Sequence, residues 1–320
     1  MYSAIEQHYM IILNSLETIY SDIPTALAIG KFDGVHKGHR RLLEQIIRAK
    51  ADGLTPCVFT FEPSPEKLFG INSASILTRD EKRSILEELG IGILVEYPLD
   101  RQTAAIDPAE FINEFLCRRL KAGMIAAGAD LSFGAGGKGD FALLNAYRYE
   151  LGYETVQVDK VHYQGKTISS SRIRSMIEEG QLADAAECLG RTYSFSGVVE
   201  RGARIGHSIG FPTLNITPDA DKVLPPRGVY ESVVMLKGCA YKGMSNIGIK
   251  PTVKEDNRVN LETHLFDFDE EAYGEEITVG LRRFIRPEKQ FDGLEGLKAQ
   301  LADDMENITS SPLIPSQVVL

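Results

Sequence analysis

The chain has 320 residues, 43% of them hydrophobic and 25% charged, which suits a globular protein with room for two domains. Its formal net charge of -10 argues against sequence-independent binding to nucleic acid, which needs a basic face, and leaves only a local basic patch open. No uninterrupted apolar run approaches membrane-spanning length, and the opening MYSAIEQHYMIILNSLE lacks the basic start and long apolar core of a signal peptide.

The polar opening, Met1–His8, reads as an extension. An apolar run, Ala26–Ile29, then ends in Gly30, and the chain continues KFDGVHKGH, with Gly34, His36, Gly38 and His39. The apolar spacing of RLLEQIIRAK predicts a helix over 40–51. A strand, a glycine turn and a helix start together suit a phosphate, because free N–H groups and the positive end of the helix point at the turn. His36 and His39 are three apart, so on a first helical turn they face the same side. The pattern is neither G-x-x-x-x-G-K-[ST] nor G-x-G-x-x-G.

TPCVFTFEPSP is a strand closed by Pro63 and Pro65. LTRDEKRSILEELG predicts a helix with Thr78 as N-cap, Glu81 as its box partner and Gly90 at its end. GILVEYPL is a strand, and DPAEFINEFLCRRLKAG a helix capped by Asp107, with Pro108 first and Gly123 past its end. MIAAGAD is a short strand, the glycines at 134, 136, 137 and 139 form a loop, FALLNAYRYELG is a helix and YETVQVDKV a strand. Such alternation implies a parallel sheet with helices on both faces, and ligands of these sheets bind at the carboxyl ends of the strands. The turn after Ile29 and the loops after Phe61 and Gly128 are therefore expected to converge.

ISSSRIR leads into a helix read as SMIEEGQLADAAECLG. Its serines and arginines are either an ordinary N-cap with solvated cations or a second anion site, since arginine forks match phosphate oxygens. After Gly190 the texture changes to β-rich segments separated by turns: YSFSGVVERG, GVYESVVML, YKGMSNIG, VNLETHLFDF and EEITVGLRRFI. They read as a small antiparallel barrel or sandwich, followed by a helix with Asp292 as cap, Glu295 three later, and Leu294, Leu297, Leu301 and Met305 on one face. Within this region RIGHSIGFPTLN supplies Gly206, Gly210 and Pro212 for a rigid, open loop. Thr213 and Asn215 point to one side of it if extended. A hydroxyl and an amide oxygen suit Mg²⁺ and a nucleotide phosphate; a glycine- and proline-rich turn is the other reading. Glu262 shares a strand face with Asn260 and His264, either as a solvated carboxylate or as a base aimed at a hydroxyl. The four cysteines, Cys57, Cys117, Cys188 and Cys239, show no metal-ligand spacing and predict reduced thiols in a cytoplasmic protein.

In order, GKFDGVHKGH, TFEPSP, LTRDEK, GADLSFGAGGKGD, ISSSRIR, CLGRTYSFSGVV, GFPTLN, GVY, NIGIKPT, LETHL and the closing helix resemble the bacterial bifunctional riboflavin kinase/FAD synthetase family over about residues 10–307. The resemblance implies an α/β Rossmann-like nucleotidyltransferase domain with a parallel sheet over 1–186. A small antiparallel β-barrel kinase domain with a C-terminal helix follows over 187–307, then a flexible tail over 308–320. It implies phosphorylation of riboflavin to FMN by ATP, then adenylylation of FMN to FAD with release of pyrophosphate. Catalytic roles carry over to His36, His39 and Glu262, the last as general base. Nucleotide and phosphate contacts carry over to Gly30, Phe32, Asp33, Gly34, Gly38, Ser169, Ser170, Ser171 and Arg174 in the first half. In the second half they carry over to Gly206, Gly210, Pro212, Thr213 and Asn215, with Thr213 and Asn215 holding Mg²⁺. Flavin contacts carry over to Phe61, Pro63, Asp130 and Phe133. Riboflavin, FMN and ATP are the expected partners, with no nucleic acid and no membrane, on a monomer, an oligomer being left open.

Three departures stand out. Ser64 replaces a usual histidine, and Ser132 and Gly137 replace usual arginines, with Leu131 beside them. The alternative within the family is therefore a riboflavin kinase with weak or lost FAD synthetase activity. Outside it stand another nucleotidyltransferase and a non-catalytic flavin-binding regulatory protein.

Overall fold

The computed structural model describes residues 9–70, 74–202, 210–249 and 259–310. The expected extension Met1–His8, the position of Gly206, the KPT of NIGIKPT and residues 311–320 of the expected tail lie outside these. The chain divides into two compact units, Met1–Ser170 and Ser171–Leu320.

In the first unit β1 (Ile11–Leu13) and β2 (Thr25–Ile29) precede α1 (Lys37–Arg48). Then come β3 (Thr55–Glu62), a short α2 (Pro65–Leu68), α3 (Arg79–Glu88) and β4 (Ile93–Pro98). A turn, α4 (Pro108–Phe111), runs on as a wider π-helical stretch, Ile112–Arg119. After it come β5 (Ala122–Gly128), α5 (Phe141–Leu151), β6 (Glu154–Val158) and a small hairpin of β7 (His162–Tyr163) and β8 (Lys166–Thr167). The six strands β1 to β6 form one sheet in the order β1-β4-β3-β2-β5-β6, every pair parallel. From β2 the chain winds outward through β3 and β4, then returns to β5 on the other side of β2. The order reverses between β2 and β5, and the turn after β2 leaves the sheet there, where such folds bind ligands.

Alternation along the strands sorts the core into two layers. Ala26, Ala28, Val58 and Leu94 pack with Leu42, Leu43 and Ile46 of α1 and Leu86 of α3. Leu27, Ile29, Phe59, Val95 and Tyr97 pack on the other face with Phe111, Ile112, Phe115, Leu116 and, from α5, Leu144. The parallel sheet with helices on both faces is as expected.

Several boundaries differ from the sequence reading. Helix α1 starts at Lys37 rather than Arg40, because His36 is its N-cap. The helix after Asp107 stops well before Gly123. The Leu120 N–H reaches back five residues to Phe115 O at 3.1 Å, Lys121 turns left-handed (φ 49°) and β5 begins at once. Gly123 instead lies inside β5, where a Cβ would come within 2.9 Å of Leu54. The short edge strand β1 and the β7–β8 hairpin lie outside the elements the sequence predicts.

The second unit continues α6 (Ser170–Glu178) and contains α7 (Leu182–Leu189). The sequence reading made one helix of these and left the serines outside it. Gly180 (φ 75°) breaks the run, with Gln181 N–H donating back to Met176 O at 2.7 Å, a Schellman-type stop. Six antiparallel strands follow: β9 (Tyr193–Val198), β10 (Leu214–Ile216), β11 (Gly228–Leu236), β12 (Cys239–Ile249), β13 (Val259–Leu265) and β14 (Glu276–Pro287). Their order is β10-β13-β12-β11-β14-β9, and the two end strands meet where Glu200 N donates to Asn215 O at 2.8 Å. Three hydroxyls run through the buried interior: Ser245 Oγ donates to Ser232 at 2.7 Å and lies 2.8 Å from Thr263 Oγ1. Helix α8 (Leu294–Thr309) closes the chain. Gly293, not Asp292, is its N-cap, without a side-chain bond, and Leu294 is exposed. Leu301, Met305 and Ile308 form the docked stripe with Val229, Met244 and Phe266, and Asp304 pairs with Arg286 at 2.8 Å.

Candidate active sites

In the first unit the turn after β2 is built from inside. Gly30 N–H donates to Phe59 O at 3.1 Å, and Phe32 and Val35 are fully buried although both have positive φ (52° and 36°). These two apolar anchors hold the backbone arch in place at a conformational cost of order 1–3 kcal/mol each. A Cβ on Gly30 would meet the Phe32 ring at 3.3 Å, and one on Gly38 would meet the His36 ring at 3.1 Å.

The two histidines stack, with ring centroids 3.7 Å apart and planes 13° apart. His36 Nδ1 accepts the backbone N–H of His39 at 3.3 Å. In the neutral ring this leaves the proton on Nε2. His39 Nδ1 is buried and has no hydrogen-bond partner. Burial, then His36 and Lys82, hold the His39 imidazole well below its ordinary pKa, so it is neutral at pH 7. The pair at the positive end of α1 is therefore not two cations at pH 7.

Three other segments are tied to this turn. Asp33 Oδ1 accepts Ile76 N–H at 2.9 Å, and Asp33 O accepts the Ser170 hydroxyl at 2.8 Å. Thr60 of β3 donates to Lys31 O at 3.1 Å, and Lys31 pairs with Glu66 of α2. Gly34 (φ 83°) completes the arch. His36, His39, Asp33 and Ser170 are thus brought together. Ser169 is half-buried just before α6; Ser171 (exposed) and Arg174 (half-buried) lie on its continuation in the second unit.

Of the flavin candidates, Phe61 sits at the core edge, edge-on to Phe59, with Pro63 exposed beyond it. Asp130 is exposed and pairs with Lys160 at 3.1 Å. Phe133 is 3% exposed, packed 5.4 Å from Phe111 and bonded both ways to Gly139 (3.0 and 2.9 Å), so its ring faces the core. Two of the departures have local structural roles: Ser64 accepts Lys67 N–H at 3.4 Å as the N-cap of α2, and Ser132 Oγ donates to Gly137 O at 3.4 Å. Asp140 caps α5 at Leu143 N (2.8 Å). Gly137 has φ 66°, a conformation that strains an arginine.

A cation not among the expected site residues, Lys82 on α3, lies within electrostatic reach of His39, Asp33, Glu62 and Glu96. Burial pulls its ammonium below the ordinary lysine value against those carboxylates. Its helix is pinned by Glu96 of β4, 1% exposed, which takes Arg83 at 2.6 and 2.9 Å and Arg79 at 2.5 and 3.1 Å. The Thr78–Glu81 capping box forms as expected. The signal for the cluster was a lone carboxylate in the apolar strand ILVEYP, with Arg79, Lys82 and Arg83 at one-turn spacing.

In the second unit the register of β10 against β13 puts Asn215 directly opposite Glu262. Asn215 Nδ2 approaches Thr213 Oγ1 at 3.4 Å, so hydroxyl and amide do share a side. Asn260 Nδ2 donates to Glu262 Oε1 at 2.9 Å and to Asn215 Oδ1 at 3.0 Å. His264 Nδ1 lies 2.8 Å from Pro212 O, and Phe211 sits edge-on to its ring. Gly210 has φ 86°, and a Cβ on Gly202 would come within 2.6 Å of the Asn215 amide. Neutral oxygen donors thus gather around one exposed carboxylate.

Two family profiles divide the chain between them: FAD synthetase matches residues 19–172 and riboflavin kinase residues 189–311. A bifunctional riboflavin kinase/FMN adenylyltransferase of Escherichia coli K12 is 39% identical over 282 residues, covering 87% of this chain and 90% of that one. The chain belongs to the bifunctional riboflavin kinase/FMN adenylyltransferase family. The proteins of that name from Listeria monocytogenes (35% identical, 90% of this chain and 92% of that one) and Bacillus subtilis (33%, 88% and 90%) agree. A solved structure titled as a macrolide-efflux protein from Streptococcus pneumoniae superposes with TM-score 0.85 at 29% identity, covering 95% of this chain and 100% of that one. No helix among the described residues is long and apolar enough to cross a membrane. In family terms, the stacked histidines belong to the FMN adenylyltransferase half, and the Asn215–Glu262 pair to the riboflavin kinase half.

Proposed function

We propose that this riboflavin kinase/FMN adenylyltransferase runs its two reactions with different residues because the two nucleophiles differ. A ribityl hydroxyl carries a proton at neutral pH. Glu262 accepts it as the hydroxyl oxygen bonds to the γ-phosphorus of ATP, the bond from that phosphorus to the β–γ bridging oxygen breaks, and ADP leaves with FMN formed. The observation that carries this reading is the register that sets Glu262 opposite Asn215. Thr213 Oγ1 and Asn215 Oδ1 suit Mg²⁺ with ATP: both are hard, neutral oxygens, and Asn215 Oδ1 keeps a second lone pair beside its bond from Asn260. Bound there, the ion supplies charge neutralisation to the phosphates.

An FMN phosphate is already ionised. Its oxygen attacks the α-phosphorus of a second ATP, the bond to the bridging oxygen breaks, and pyrophosphate leaves without a proton to remove. Catalysis is then positioning and hydrogen bonding to developing charge. His36 and His39 donate from the α1 end, Ser170, Ser171 and Arg174 add hydroxyls and a fork, and Lys82 adds a cation. Residues 1–186 carry this reaction and residues 187–307 the kinase, on a cytoplasmic monomer; the expected tail from 308 starts later, because Ile308 is docked within α8.

Replacing Lys82 by Met is expected to lower FAD formation from FMN about 10- to 100-fold, the scale of one hydrogen bond to a charged group. FMN formation from riboflavin should not change, and equal loss of both would remove Lys82 from the transferase site.

The deciding experiment is a time course of riboflavin with excess ATP, with and without Mg²⁺, separating the flavins by chromatography. FMN should rise and then convert to FAD, and both steps should stall without the cation. FMN that accumulates without FAD would favour the second reading, a kinase with a failed transferase, for which the cation-poor Ser132–Gly137 loop argues.

A further inference from the structure

Strand β13 presents Leu261, Thr263 and Leu265 to the interior and Asn260, Glu262 and His264 to the other face. Asn260 is nevertheless 4% exposed. Its Nδ2 makes two bonds, to Glu262 Oε1 and Asn215 Oδ1, while its Oδ1 is buried with no hydrogen-bond partner. An unpaired buried carbonyl oxygen costs about 1–3 kcal/mol. The register asks only for a residue that fits between Asn215 and the strand opposite, so the amide is retained at a cost to the fold.

The two bonds fix more than one side chain. An ionised carboxylate only accepts, so Asn260 must offer Glu262 its N–H₂ and not its oxygen. The same N–H₂ then requires the oxygen of Asn215, which turns Asn215 Nδ2 toward Thr213. One amide thereby sets the orientation of the base and of the neighbouring amide oxygen together.

We propose that Asn260 is the positioning residue of the kinase reaction, holding the Glu262 carboxylate and the Asn215 amide oxygen in register for the ribityl hydroxyl and the nucleotide. The inference rests on Glu262 as the base. It does not require Asn260 to touch substrate.

Opposite Glu262, β10 offers Asn215, with Thr213 just before the strand, and β12 offers Asn246. His264 is two residues along β13, with Nδ1 against Pro212 O. Glu288, beyond the end of β14, comes close enough that a Cβ on Gly248 would lie 2.5 Å from its Oε1.

The test compares Asn260→Leu and Asn260→Asp with wild type in steady-state FMN formation across pH, with FAD formation from supplied FMN in parallel. Asn260→Leu should lower kcat about 10- to 100-fold, the scale of a misplaced reacting group, with KM for riboflavin within about threefold. Asn260→Asp preserves shape but sets a second carboxylate against Glu262. The acid limb of its kcat profile should move up by about one pH unit or more, since two carboxylates sharing a site resist joint ionisation. FAD formation should stay at the wild-type rate in both. An Asn260→Asp enzyme with wild-type kcat and an unmoved acid limb would overturn the proposal, whatever the leucine variant does. Glu262→Gln is run alongside. If it keeps full kinase activity, the base assignment fails first; if it loses activity while both Asn260 variants behave as wild type, only the positioning role fails.

Discussion

Glu262→Gln should lower riboflavin phosphorylation by about 10²- to 10⁴-fold, the range a positioned general base supplies. The substitution keeps size and one oxygen, so Asn260 Nδ2 retains an acceptor and β13 keeps its register with Asn215. What disappears is the capacity to take the hydroxyl proton. The loss should therefore fall on kcat, with KM for riboflavin and ATP close to wild type. FAD formation from supplied FMN should be untouched, because a phosphate nucleophile has no proton to give up. The same preparation thus carries its own control, read on the same chromatogram. If FMN formation fell less than about fivefold, Glu262 would be a solvated strand residue and the kinase would draw its base from elsewhere.

Glu96→Gln should strongly destabilise the first unit. The carboxylate is 1% exposed and collects the forks of two arginines one turn apart on α3. Burial by itself would push its pKa up; the hydrogen bonds from Arg83 and Arg79 outweigh it and hold the group at about 2. Against an ordinary value of 4.5, that depression corresponds to about 3 kcal/mol of stability. Because the folded value is the lower one, this contribution is complete above about pH 4.5 and is lost as pH falls through about 2. The variant should lose about 3 kcal/mol near pH 7, or about 6–12 °C in Tm for a unit of this size, and the deficit should close as wild type is acidified. FAD formation should drop with it, since α3 carries Lys82. Thermal melts of both proteins at several pH values provide the check. A constant gap between the two down to pH 2 would mean that the arginines do not set the ionisation of Glu96.

The fold was largely legible. The alternation of apolar strands with capped helices up to YETVQVDKV is enough for a parallel sheet, and the Thr78–Glu81 box marks α3 to the residue. Boundaries failed where a local rule met a competing one. Gly38 reads as part of a turn, yet it fits inside α1 because it lies against the His36 ring, where a side chain would crowd. Gly123 reads as a helix stop, yet it serves β5 by letting Leu54 approach. Gly180 reads as one more helical residue and is the break. For Gly38 and Gly123 the deciding neighbour is another side chain, and for Gly180 it is the left-handed backbone, none of which the local pattern shows.

The candidate sites divide in the same way. Motifs with a phosphate logic, such as the turn after Ile29, could be placed by spacing alone. Lys82 could not, because its role follows from the tertiary proximity of α3 to the histidines. Asn260 shared a face with Glu262 on paper, but only the register against β10 shows that its amide also reaches Asn215. Phe133, grouped with the flavin contacts, turns its ring into the core against Phe111.

The joint between Glu200 and Asn215 links architecture to occupancy. The short strand β10 has three residues, and its meeting with the end of β9 is a single bridge, so the circle of strands is closed at its weakest ladder. Asn215 supplies its backbone to that closure and, in the proposed function, its side chain to the kinase site. Any molecule that binds the side chain therefore biases the closed circle over a frayed one, and part of its affinity is spent as cohesion of the barrel. Nucleotide and fold become mutual ligands: a substitution that loosens the joint weakens binding without touching a contact, and a tight-binding nucleotide masks the loosening.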